Sequence, residues 1–87
     1  LNAAVGRIVV SRAGRDAGRK FVVVKVIDEL FVEICDGDLR RVEKPKRKKI
    51  KHLDITDEIA EGLAEKLRSG GRITNAEVRK ALADLIS

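Results

Sequence analysis

The apolar residues of this chain change their period once. From Val5 to Ile34 they come as short runs of Val, Ile and Phe broken by Gly and Asp; from Ile59 onward they recur at helical spacing. A β-forming first part followed by a helical tail is therefore expected. The β-branched runs predict strands at Gly6–Arg12, Lys20–Ile27 and Leu30–Asp36, with Leu53 and Ile55 marking a last short strand, Lys51–Ile55. Asp28-Glu29 would connect the second and third strands, and Asp36-Gly37 is a turn signal. Within the second strand Val22, Val24 and Val26 share a face, opposed by Val32 and Ile34 of the third, and that face is expected to be the core. The other face, with Phe21, Val23, Lys25, Ile27, Phe31 and Glu33, is half apolar and needs partial cover. Short strands with one apolar face favour a small closed antiparallel barrel over an open sheet with exposed edges.

In the tail, Ile59, Leu63, Ala64 and Leu67 mark one helix, and Val78, Ala81, Leu82, Leu85 and Ile86 a second. Thr56 is placed to cap the first, with Asp57 and Glu58 in its first turn, Lys66 and Arg68 in its last, and Gly70-Gly71 ending it. Thr74-Asn75-Ala76-Glu77 opens the second as a capping box, with Ile73 able to staple onto Val78. Two helices of about a dozen residues are too short to stand alone, so this hairpin must pack on the barrel or a partner. The expected division is residues 1–56 for the barrel, with a basic arm at 40–52, and 57–87 for the helical hairpin.

Charge is distributed unevenly. Of 19 Lys and Arg against 14 Asp and Glu, residues 1–39 hold six of each sign, while residues 40–52 hold eight basic groups against Glu43 alone. The whole net excess of +5 thus lies in thirteen residues, which points to a polyanionic partner. A chain of 87 residues has little room to enclose an active-site cavity. One Cys (Cys35) and one His (His52) exclude an internal disulfide and a structural zinc site, and suit a reducing, cytoplasmic compartment. The longest apolar run, Phe21–Val24, is far short of a membrane span, and no leader peptide is expected from the N-terminal residues.

Two segments could carry function. The first, Ser11–Lys20, has Gly14 and Gly18 four apart, able to turn with positive φ and approach a ligand, and it gathers Arg12, Arg15, Arg19 and Lys20. Neither a P-loop nor a dinucleotide fingerprint fits its spacing. The segment Ile8-Val9-Val10-Ser11-Arg12-Ala13-Gly14-Arg15-Asp16-Ala17-Gly18, with Phe21–Val24 and Asp36-Gly37 after it, resembles the KOW motif. That motif belongs to ribosomal proteins and transcription–translation factors with an SH3-like barrel. The likeness is to the archaeal and eukaryotic large-subunit KOW proteins and to short bacterial RNA-binding relatives, in which a segment like Asp36–Lys46 and a tail like Thr74–Leu85 also occur. The resemblance implies an SH3-like barrel whose Gly14–Gly18 loop lies against RNA backbone. Ala17 stands where the motif usually has Lys, and Phe21 where it usually has a third glycine; Arg15 or Arg19 could replace the lost cation.

The second segment is Arg40, Arg41, Lys44, Lys46, Arg47, Lys48, Lys49 and Lys51. Pro45 argues against helix and central strand, so an exposed phosphate-binding arm is expected, although a nuclear localisation signal has the same composition. With only Phe21 and Phe31, both expected in the core, no aromatic platform for single-stranded bases, no proline-rich-peptide groove and no methyl-lysine cage can be built. Backbone and shape recognition of structured RNA remains. His52 reads as a polar strand end and Cys35 as a small semi-buried group. Glu58, Glu61 and Glu65 form a solvated acidic face, and no nucleophile has a base beside it.

The expectation is a mostly β protein with C-terminal α structure: an SH3-like barrel followed by a two-helix hairpin, without enzymatic activity, metal, cofactor, small-molecule substrate or membrane partner. Its partner would be RNA, by the resemblance ribosomal, contacted through Arg12, Gly14, Arg15, Gly18, Arg19, Lys20, Arg40, Arg41, Lys44, Lys46, Arg47, Lys48, Lys49 and Lys51. The setting would be cytoplasmic and ribosome-associated. The rival reading is a protein-interaction module docking on a ribosomal or transcription component through the barrel or the helices.

Overall fold

The computed structural model describes residues 2–85; Leu1, Ile86 and Ser87 lie outside it, and with them the expected helix position Ile86. The strands are β1 Arg7–Ser11, β2 Lys20–Val26, β3 Phe31–Cys35, β4 Lys46–Lys49 and β5 Leu53–Ile59, followed by helices α1 Glu61–Arg68 and α2 Asn75–Ala83. All pairings are antiparallel and the sheet order is β4-β3-β2-β1-β5. The two edge strands are joined directly by a 3-10 turn, Ile50–His52. Its Ile50 N–H donates to Leu30 O (2.8 Å), and its His52 O accepts from Arg12 N–H (2.8 Å). The turn thereby wraps the sheet around one apolar interior, as expected of a small barrel with a helical tail.

Both faces of the sheet are buried, each for a different reason. The barrel interior is Val9, Phe21, Val23, Val32, Ile34 and Leu53, with Ala3, Ile50 and Ile55. The outer face of the same strands presents Ile8, Val22 and Cys35 to Leu63 of α1 and Val78 of α2. The expected core face of β2 is therefore corrected. Phe21 and Val23, not Val22 and Val24, meet Val32 and Ile34 inside. The ladder slips between Val23 and Lys25, so Val23 pairs with Ile34 but Val26 pairs with Val32. A bulge at Val24 shifts the alternation by one residue, and reading the strand as unbroken assigns the wrong face. Val26 shares the side of Val32 but, as the last residue of β2, stays 47% exposed.

Three boundaries also differ from expectation. The centre of the basic arm is not a loop: Lys46–Lys49 is strand β4, with Pro45 just before its first residue, where the missing N–H costs no ladder bond. The last strand begins at Leu53, not Lys51, and runs past Thr56 to Ile59, so Thr56 caps nothing. Its hydroxyl donates to Ile8 O (2.7 Å) and accepts from Glu58 N–H (3.2 Å). Helix α1 accordingly starts at Glu61, without a side-chain cap. The capping box of α2 is present as read: Glu77 N–H donates to the Thr74 hydroxyl (3.1 Å) and Thr74 N–H to the Glu77 carboxylate (2.9 Å). The helices hold eight and nine residues, fewer than expected, and the shared outer-face cluster stabilises them.

Candidate nucleic-acid interface

The loop from Arg12 to Arg19 is tightly laced. Ser11 N–H donates to Arg19 O (3.0 Å), Gly18 N–H to Ser11 O (2.8 Å), and residues 14–16 form one 3-10 turn. Gly14 and Gly18 have φ of +78° and +85°, where a side chain is strained. A Cβ at Gly18 would meet nothing within 4 Å, and at Gly14 only Lys48 Nζ at 3.8 Å. The glycines are thus required by backbone shape rather than by protein packing, and the surface above them is open.

This loop is locked to the β3–β4 loop by crossed ion pairs. Arg19 Nε donates to Asp36 Oδ2 at 2.7 Å, and a second guanidinium nitrogen reaches Asp38 at 3.1 Å. In the opposite sense, Arg40 of the β3–β4 loop lies 3.6 Å from Asp16 of the first loop. Both Asp16 and Asp36 are buried, at 5% exposure each. The other oxygen of Asp36 accepts from the N–H of Asp38 (3.0 Å) and of Arg40 (2.8 Å), an Asx turn that shapes its own loop. Burial alone pushes the Asp36 carboxyl up, but the Arg19 hydrogen bond and the two backbone donors together outweigh it and hold it below its ordinary value.

Helix α2 holds the same loop from behind. Asn75 Oδ1 accepts from Val42 N–H (2.8 Å), its amide donates to both oxygens of Glu43 (2.9 and 3.1 Å), and Arg79 donates to Gly37 O (2.6 Å). Gly37, at φ +76°, is packed so closely that a Cβ would lie 2.5 Å from Asn75 O. Asp16, Asp36, Asn75 and Arg79 were not singled out from sequence. The Asp36-Gly37 turn is legible there, but its long-range partners are not.

The strand geometry divides the basic run. Lys46 and Lys48 pair with Ile34 and Val32, residues of the barrel interior, and so stand on that side of the edge strand. Lys48 Nζ crosses to donate to Ala13 O (3.1 Å), joining β4 to the glycine loop. Arg47 and Lys49 pair with Glu33 and Phe31 and stand on the opposite side. There Arg47 stacks its guanidinium 4.0 Å from the Phe31 ring centroid. Phe31 is accordingly half-buried, not core as expected, and only Phe21 is fully enclosed. Lys51 sits on the 3-10 turn, beside the tip of the β2–β3 hairpin.

Of the twelve basic side chains named from sequence, Arg12 (to Asp54, 3.5 Å), Arg19, Arg40 and Arg41 (to Glu43, 3.7 Å) have carboxylate partners. Among the described residues, no carboxylate lies within 4.0 Å of Arg15, Lys20, Lys44, Lys46, Arg47, Lys48, Lys49 or Lys51. Arg15, Lys20 and Lys44 are exposed. Cys35 is fully buried rather than semi-buried, and its thiol is pushed up to about 12, first by burial and then by Asp36 and Glu43 nearby. Among the described residues no group of three or more His, Cys, Asp and Glu could hold a metal ion, and no helix is long and apolar enough to cross a membrane.

No profile of a known protein family matches the chain. Individual relatives do. The chain is 44% identical over 55 residues to the large ribosomal subunit protein eL14 of Staphylothermus marinus, covering 63% of this chain and 57% of that protein. Against that relative it spans little more than half the length. The eL14 of Hyperthermus butylicus is 36% identical over 80 residues, 92% of this chain and 74% of its own. That of Aeropyrum pernix is 35% identical over 82 residues, 94% and 80%. With the barrel, the glycine loop and the helical tail lying in one continuous stretch of such similarity, the chain belongs to the eL14 family, a KOW-containing family of the large ribosomal subunit.

Proposed function

We propose that this protein is a non-enzymatic, ribosome-associated RNA-binding protein of the cytoplasm, gripping structured ribosomal RNA by its phosphates. The observation that carries the reading is the bridge from Lys48 Nζ to Ala13 O, which makes one surface of the glycine loop and the inner-side lysines of β4. Arg15, Lys20, Lys46 and Lys48 supply cations without carboxylate partners around an open backbone at Gly14 and Gly18. Arg19 and Arg40, expected as contacts, act in this reading mainly by fixing the two loops against each other. The RNA face belongs to residues 1–56, and the tail in 57–87 supports it through Asn75 and Arg79. The finer likeness, to short bacterial KOW proteins, rests on Asp36–Lys46 and Thr74–Leu85 alone and is part of this proposal.

Salt titration of binding to a structured rRNA fragment tests it. With about six phosphates neutralised, log K against log salt should slope at roughly −4 to −5. Lys46→Gln with Lys48→Gln should weaken different RNAs alike and flatten that slope by about 1.5–2, because phosphate contacts carry no sequence information. Affinity indifferent to salt would overturn the reading.

A further inference from the structure

Strand β4 is two-sided, and only one side serves the glycine loop. Lys46 and Lys48 point to that side; Arg47 and Lys49 cannot, because successive side chains of a strand alternate. The residue directly opposite Arg47 is Glu33, yet no carboxylate lies within 4.0 Å of its guanidinium among the described residues. The guanidinium lies over the Phe31 ring instead, its carbon 4.0 Å from the ring centroid. Lys49 stands directly opposite Phe31, and Lys25 opposite Glu33 on the next strand, so both lysines share the stack's side of the sheet.

A guanidinium carbon 4.0 Å above a ring centroid is at stacking distance, so the ring covers one side of the group and leaves the other turned away from it. Arg47 is exposed, so that face is open. A planar cation with an open face and lysines on the same side of the sheet is suited to one RNA feature: an unpaired base stacking on the plane while its phosphate meets a lysine. Among the described residues, the surface around Gly14 and Gly18 has no guanidinium stacked on an aromatic ring.

We infer that Arg47, oriented by Phe31 and with Lys49 on the same side of the sheet, is a second RNA site that takes a single unpaired base by stacking, separate from the phosphate surface on the other side of β4. The inference rests on the RNA-binding reading above and adds recognition of an unpaired nucleotide to it. It also revises the expectation that two aromatics cannot make a stacking platform, since here the guanidinium supplies the plane and Phe31 only orients it.

The test uses the full chain and two RNA hairpins of identical stem, one with a single bulged 2-aminopurine and one fully paired. The wild-type protein should bind the bulged hairpin about tenfold more tightly, within the range of one base stack, and change its 2-aminopurine emission. Arg47→Lys keeps the charge and removes the plane. It should abolish the preference and the emission change while leaving affinity for the paired hairpin as it was. Phe31→Leu, checked for an unaltered melting curve, should act in the same direction through loss of orientation. Should Phe31→Leu fail to fold, Arg47→Lys decides alone. A wild-type protein that binds both hairpins equally, or an Arg47→Lys protein that retains the preference, overturns the stacking site and leaves the phosphate reading standing. Binding to neither hairpin at low salt overturns the phosphate reading, and this inference falls with it.

Discussion

Replacing Asp36 by Ala removes the acceptor at the centre of the loop lock, and the size of the loss can be worked from its partners. Two backbone donors, Asp38 N–H at 3.0 Å and Arg40 N–H at 2.8 Å, lose an ionised oxygen in a position that is 5% exposed. Each such bond to a charged acceptor contributes about 1.5–3 kcal/mol net. The Arg19 guanidinium, whose side chain is 40% exposed, returns to water and adds the smaller share. The sum is at least about 3 kcal/mol, which for a domain of this size lowers Tm by about 12–24 °C or more. Thermal unfolding followed by circular dichroism reads this directly. Arg19→Ala should cost less, because the Asx turn survives it, and Asp38→Ala less again, because that carboxylate is 66% exposed. The pH dependence has a fixed sign. The carboxyl of Asp36 is held below its ordinary value of 3.8 in the folded state, so its contribution is complete above that pH and is lost as pH falls through the lower folded value. The Asp36→Ala protein should therefore lose less stability than wild type on acidification below about pH 4. An Asp36→Ala protein melting within about 3 °C of wild type at neutral pH would refute the reasoning.

Gly18→Ala meets no neighbouring atom but must hold φ near +85°, so it should destabilise by about 1–2 kcal/mol in urea denaturation without disturbing the core. Unchanged stability would mean that the loop relaxes. Cys35, with its thiol pushed up to about 12, should resist alkylation in the native protein at mildly alkaline pH and react only on unfolding; rapid labelling of the native state would contradict its burial. Thr74→Ala removes the α2 cap and should cost about 0.5–2 kcal/mol, read by denaturant midpoint. Since α2 holds the β3–β4 loop through Asn75, amide exchange at Val42 should quicken in the same variant.

What the sequence determined by itself was whatever a few neighbouring residues decide. The β-branched runs specify β1, β2 and β3 to within a residue or two, because χ1 stiffness and extended backbone are local preferences. The reciprocal bonds of Thr74 and Glu77 span three residues and set the start of α2. Gly14 and Gly18 mark a positive-φ loop whatever surrounds it. The tertiary structure alone decided the rest, because it depends on groups far along the chain. Lys46–Lys49 has no strand-like composition; it is extended because β3 offers it a ladder. Residues 56–59 carry helix-start signals, yet β1 pairs with them as far as Ile59 and the strand wins. A bulge at Val24 decides which face of β2 fills the barrel. At the candidate site the cations were legible as a run, but their sorting was not. Arg19 and Arg40 turn inward because Asp36 and Asp16 are buried beside them, and Arg47 parts from Lys46 and Lys48 because a strand alternates its side chains. Composition fixes how much charge the segment carries; only the ladder register and the buried carboxylates fix which of it is left without a carboxylate partner and on which side of the sheet it stands.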